Sequence, residues 1–211
     1  ALERVEASLR AARERGVFCM LLVTEYDGET SIGESIANVV QTWSAPAPVT
    51  LTVDRSDGIV SSADALLNSN SDEYAIYHAE EHIVSSLFDS FIANYWPMGE
   101  QVHVSRPEPL PRTFDSFRHA VFEAALYLLD GKSVSVEMEV RRTQSEEPFE
   151  TVTGAIVDVK QSLVRPFSNE FPTQESFVVE TGDGTVTVGG SKAFLEDFEA
   201  DRVTLKSTVD A

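Results

Sequence analysis

Positive charge is scarce in this chain: 16 Lys plus Arg face 35 Asp plus Glu, a formal net charge of -19 at pH 7. A negative field of that size repels phosphate backbones, so the chain by itself is excluded as an electrostatic binder of nucleic acid. Lysine is the rarest base, present only at Lys132, Lys160, Lys192 and Lys206, and the acids are spread along the whole length. Such a pattern suits a protein kept soluble in molar salt, where screening shortens self-repulsion, and it predicts a salt-rich cytoplasm. Cysteine is nearly absent: Cys19, within "VFCMLLV", excludes an internal disulfide and reads as a buried, inert thiol. Long apolar runs are missing too. No stretch reaches membrane-spanning length and the N-terminus has no signal-peptide pattern, so no membrane partner is expected and the chain reads as intracellular.

What is present is enough to fold. Hydrophobic residues make up 42%, with 12 Phe and 2 Trp, too many for a solvated coil. A chain of 211 residues fits one large domain or two small ones, and two are expected. The opening "LERVEASLRAARERGV" starts inside a helical pattern, with Leu2, Val5, Leu9 and Ala12 on one stripe and Gly16 closing it, and predicts a piece of something longer.

Downstream, "VFCMLLVT" reads as a strand, "SIGESIANVVQTW" as a helix through Ile32, Ile36, Val39 and Val40, and "VTLTVD" as a strand. Two strands follow in "GIVSS" and "YAIYH" around the polar loop "NSNSDE", then a helix "EEHIVSSLFDSFIANYW", and after "RPEPLPR" a second helix capped by Thr113 and closed by Gly131. This alternation predicts an α/β domain over 1–131 with helices on a mostly parallel sheet. From Lys132 the hydrophobic period falls to two: "SVSVEMEVRR", "TVTGAIVDVKQSLV", "SFVVE" and "TVTVGG" read as strands, the last two joined by the turn "TGDG". A small antiparallel β-domain is therefore expected over 132–211.

Among catalytic patterns, His78, Glu81 and His82 stand in the H-x-x-E-H order of inverted zinc proteases. His82 falls on the polar face of its helix with Ser85, Ser86 and Asp89, and His78 ends the preceding strand, so no third ligand or dry wall is in view. None of the four histidines is followed two residues later by the lysine that phospholipase-type nucleases require. No phosphate-binding glycine loop or G-x-S-x-G elbow occurs. No catalytic residue, metal ligand or cofactor is assigned, and the chain is expected not to be an enzyme.

The terminal stretch "TVTVGGSKAFLEDFEA" is more informative. Gly189 and Gly190 let a ligand approach the backbone, and Glu196, Asp197 and Glu199 follow on an acidic turn. Carboxylates that accept hydrogen bonds from adjacent hydroxyls hold sugars, with Phe194 or Trp96 covering the C–H face. Glu196 and Glu199 project from one turn, which fits binding better than a pair of opposed glycosidase acids.

"RPEPLPRTFDSFRHAVFEA" leading into a helix, and above all "VGGSKAFLEDFEA" at the end of a small β-domain, resemble the effector-binding region of the TrmB family of archaeal sugar-responsive transcriptional regulators. The resemblance spans most of the chain. It implies a phospholipase D-like α/β domain without catalytic residues, a small β-domain after it, and sugar bound between them. The family's glycine and glutamate contacts fall on Gly190 and Glu196, with Gly189 as the other glycine of the pair, and Trp96 and Arg112 flank the expected interface. It also implies a homodimer that meets DNA only through an N-terminal winged helix-turn-helix outside this chain. The alternative is a dimerisation or partner-binding module with no small-molecule ligand.

Overall fold

The computed structural model describes residues 2–28, 32–33, 35–68, 71–191 and 193–207; parts of the "SIGESIANVVQTW" and "NSNSDE" readings, and Lys192 of the terminal motif, lie outside them. The chain divides into two compact units, Ala1–Ser105 and Arg106–Ala211. The change of hydrophobic period at 131 sits inside the second unit instead, because the helix before it packs on that unit's strands.

The first unit is mixed α/β. Helix α1 (Leu2–Glu14) buries none of its residues, so its apolar stripe stays at the surface, with Val5 47% exposed. Gly16, at φ 82°, ends it in the left-handed conformation that glycine adopts without cost. Strand β1 (Met20–Val23) pairs in parallel with β2 (Val39–Thr42), and β2 pairs antiparallel with β6 (Glu100–Val104). The expected helix through Val39 and Val40 is thus a strand. All four β2 residues are buried, and a central strand covered on both faces loses the alternation that distinguishes it from a buried helix turn. Beside β1, Cys19 is half-buried rather than buried, and burial pushes its thiol up while Arg13 pulls it down. Less thiolate at pH 8 predicts that Cys19 reacts several-fold more slowly with a chromogenic disulfide than a free cysteine does; an equal rate would contradict this.

A second sheet joins β3 (Val49–Val53), β4 (Asp57–Ser61) and β5 (Ala75–His78), all antiparallel, with the short α2 (Ala63–Leu67) between β4 and β5. Helix α3 (Glu81–Ser90) lies on it, close enough that a methyl group on Gly58 would meet Val84 at 3.2 Å. The helix runs on through a π-turn, Phe91–Tyr95, and a 3-10 turn, Trp96–Met98. Val84, Phe88, Ile92 and Trp96 form its buried side.

The second unit starts with β7 (Arg112–Phe114) and α4 (Phe117–Leu129). Thr113 belongs to β7; the cap of α4 is Ser116, whose hydroxyl accepts from the His119 N–H, while Gly131 at φ 71° closes the helix as expected. Five long strands follow: β8 (Val134–Arg142), β9 (Glu150–Lys160), β10 (Ser176–Thr181), β11 (Gly184–Gly189) and β12 (Phe198–Ser207). In β8 the alternation holds throughout: Val134, Val136, Met138 and Val140 are all at most 2% exposed. The ladder runs β11-β10-β9-β8-β12-β7, and β11 also pairs in parallel with β12 through Val188 with Phe198 and Gly189 with Glu199. Strands β8 to β12 therefore close into a ring. Across both units only this short contact and β1 with β2 are parallel among the described strands, so the expected mostly parallel sheet gives way to antiparallel pairing.

Candidate functional site

The ring closes at the terminal motif. Strand β11 ends at Gly189 and β12 begins at Phe198, so the turn between them, described at residues 190–191 and 193–197, is anchored at both ends by paired strands. Ala193 N–H donates to the Gly190 carbonyl at 2.8 Å and tightens the turn. Gly189 has no room for a side chain here and Gly190 has little. A Cβ on Gly189 would lie 2.7 Å from the Ala193 Cβ and 3.1 Å from the Glu196 carboxyl, and one on Gly190 would lie 3.3 Å from Phe117 of α4. Gly189 thus lets the Glu196 carboxylate approach the backbone, and Gly190 seats the turn on an aromatic ring.

The three acids of the motif have separate tasks, and Glu199, which the sequence places on the same turn as Glu196, belongs to β12. Asp197 locks the strands together: its Oδ2 accepts from the Thr187 N–H and hydroxyl, both at 2.8 Å, and its own N–H donates to the Thr187 Oγ1 at 3.0 Å. Glu199 is 8% exposed and takes a hydrogen bond from Arg141 Nε, which makes it the buried half of an ion pair. Both therefore carry structural bonds. Glu196 is half-buried, and among the described residues its carboxylate accepts one hydrogen bond, from the Leu195 N–H at 3.3 Å. Beside it Phe194 and Leu195 are 69% and 56% exposed, an apolar flank next to an acceptor.

Trp96 belongs to the first unit and is 0% exposed; its ring packs at a tilt against Phe91, with centroids 5.6 Å apart. With the Gln41 amide oriented to satisfy its neighbours, Gln41 Oε1 accepts from the Trp96 indole at 3.2 Å and its nitrogen donates to the Trp96 carbonyl at 2.6 Å. Burial and that hydrogen bond give Trp96 a packing task, and no face of the ring is open to a sugar. Arg112, in β7, pairs with Glu108 and lies 5.2 Å over the Phe114 ring, so it too packs. The H-x-x-E-H residues do not converge: His78 ends β5 whereas Glu81 and His82 open α3. A depression of about 470 Å³ is lined by Arg141, Arg142, Glu147, Pro148, Phe149 and Glu150, and not by Gly190 or Glu196. Phe117, the floor beneath Gly190, was not readable as a site residue, since it is one apolar position among several on α4.

Two family models match the sequence. Residues 1–103 match the N-terminal subdomain of the effector-binding domain of the transcriptional regulator TrmB, and residues 109–208 match the C-terminal subdomain of TrmB/TrmBL1. Their junction falls where the structure divides, at Ser105 and Arg106. No curated protein matches the chain. None of the described helices is long and apolar enough to cross a membrane. Matched in order by both subdomains over nearly its whole length, the chain belongs to the TrmB family of transcriptional regulators, as an effector-binding region.

Proposed function

We propose that this chain is a non-catalytic cytoplasmic sensor that binds a sugar or sugar-like metabolite at the turn from Gly189 to Glu196. In this reading the Glu196 carboxylate accepts from adjacent sugar hydroxyls, the Gly190 backbone lies against the ring, and Phe194 covers a C–H face. One observation carries it: of the three acids of the terminal motif, Asp197 in the turn and Glu199 in β12 make bonds that hold the fold, whereas Glu196 lies against Gly189 and, among the described residues, accepts only from the Leu195 N–H. Binding acts on DNA through a winged helix-turn-helix outside this chain, in a homodimer, and has an effect only if the ligand binds one pose of the assembly more tightly. A phospholipase D-like origin of the first unit, without the His and Lys pair that such chemistry needs, belongs to the same proposal.

A saturating ligand at about 100 times its Kd stabilises by about 2.7 kcal/mol, roughly 5–10 °C in melting temperature for a chain of this size. Glucose or maltose in molar KCl is expected to give such a shift, and Glu196→Ala to abolish it. A second reading, a dimerisation or partner-binding module, is favoured by one feature of the first unit. Leu51, Ile59 and Tyr77 stand in register across β3, β4 and β5, and Leu51 and Tyr77 are 50% and 61% exposed. No shift across a broad sugar panel, together with a dimeric mass in light scattering, would favour that module over the sensor.

A further inference from the structure

The geometry points to a divalent transition-metal site in the second unit, built from Glu108, His119 and Glu123 and separate from the Glu196 turn. These three side chains each offer a ligand atom, and the atoms all lie within 4.8 Å of one another. His119 and Glu123 are four residues apart on α4, so they project from one helix face. Glu108 reaches them from the segment before β7.

Burial makes the group unusual. Glu123 is 0% exposed and His119 4% exposed, and a carboxylate moved out of water costs several kcal/mol unless charge and hydrogen bonds compensate it. Glu123 Oε2 is compensated: it accepts from the Glu108 N–H at 2.8 Å. Oε1 is not. Among the described residues no hydrogen-bond donor reaches it, and it faces His119 Nε2 at 3.6 Å. That distance is too long for a hydrogen bond. It matches the spacing, roughly 3.3–3.6 Å, of two atoms that share one cation at about 2.0–2.2 Å in tetrahedral geometry.

The donor set narrows the metal. One imidazole nitrogen with two carboxylates suits zinc, manganese or iron(II) better than calcium or magnesium, which favour all-oxygen shells. Two carboxylates also offset the charge of a divalent ion. Surrounding groups hold the ligands in place, as outer partners of metal sites do. The Phe114 ring meets the His119 ring edge-on at 5.0 Å, Ser116 caps the first turn, Arg112 pairs with Glu108, and the Tyr127 hydroxyl donates to the Glu108 carbonyl at 2.9 Å. A metal here would pin the segment before β7 to α4. Three protein ligands leave a fourth position, and the Glu108 side chain is 30% exposed.

The test uses the full chain, stripped with a chelator and titrated with zinc chloride by calorimetry and with cobalt(II) by visible absorption. The site predicts one zinc per chain at micromolar or tighter Kd, and intense cobalt bands of a four-coordinate ion. Glu108→Gln, which leaves the buried pair intact, is expected to weaken zinc at least tenfold, and Glu123→Gln to abolish it. Absence of binding at millimolar zinc would overturn the site. So would equal binding by wild type and Glu108→Gln, the mark of adventitious association with the acidic surface, or a cobalt spectrum like that of the aqueous ion.

Discussion

Replacing Phe177 with alanine is expected to lower the melting temperature of the chain by on the order of 10–20 °C. Phe177 is 0% exposed in β10, one strand of the ring, and its side chain packs against Phe117 of α4 with ring centroids 5.0 Å apart. Removing a buried phenylalanine costs about 3–5 kcal/mol through lost transfer energy and the cavity left behind. A strand ring cannot collapse into that cavity without breaking its ladders, so the upper part of the range applies. The effect should also reach the turn, because Phe117 is the contact beneath Gly190. A fall of less than about 5 °C, followed by far-ultraviolet circular dichroism, would mean that the ring does not enclose this core.

Gly154→Ala is the second large effect. Gly154 lies inside β9, paired with Val136 of β8, and an added Cβ would collide with the Glu180 carbonyl oxygen and come within 2.6 Å of Val179 Cγ1. A carbonyl oxygen in a paired strand cannot swing aside as a long side chain does, and β10 is already shifted in register between Val178 and Val179. The expected loss is about 3 kcal/mol, at the upper end for overpacking. Gly182 supplies the control, since nothing lies within 4 Å of its added Cβ and alanine there should be close to neutral. Denaturant midpoints for the two variants check the contrast; equal midpoints would contradict the close approach of β9 and β10.

Much of the second unit was legible because its strands keep one face dry and one wet. The β8 pattern and the Thr181 to Gly184 hairpin follow from period two and turn chemistry alone. Strand β12 was not legible. Its register shifts between Ala200 and Arg202, and that bulge breaks the alternation of Ala200, Val203 and Leu205 over the one strand that closes the ring. In the first unit β2 was hidden for the opposite reason, an unbroken buried run with no period to read. The domain limit misled because helix α4 has the same period as α3 yet packs on strands that come after it.

At the site, the glycine pair and Glu196 stood out because they occupy one short turn. Which of three acids remained available depended on Thr187 and Arg141, partners from other strands that no local pattern connects to them. Trp96 drew attention as an aromatic near an expected interface, and its partner Gln41 lies far away in sequence. Glu123 escaped notice for a related reason: an acid in an apolar helix reads as an interruption until the Glu108 N–H is found beside it.

We propose Glu196 as the sugar-binding acid of this chain. Calorimetric titration of glucose and maltose in molar KCl, with wild type beside Glu196→Gln, tests it most directly. Loss of charge-assisted hydrogen bonds worth about 1.5–3 kcal/mol each predicts saturable binding by the wild type and affinity reduced at least tenfold in the variant. Equal affinity in the two proteins, both folded, would contradict the account.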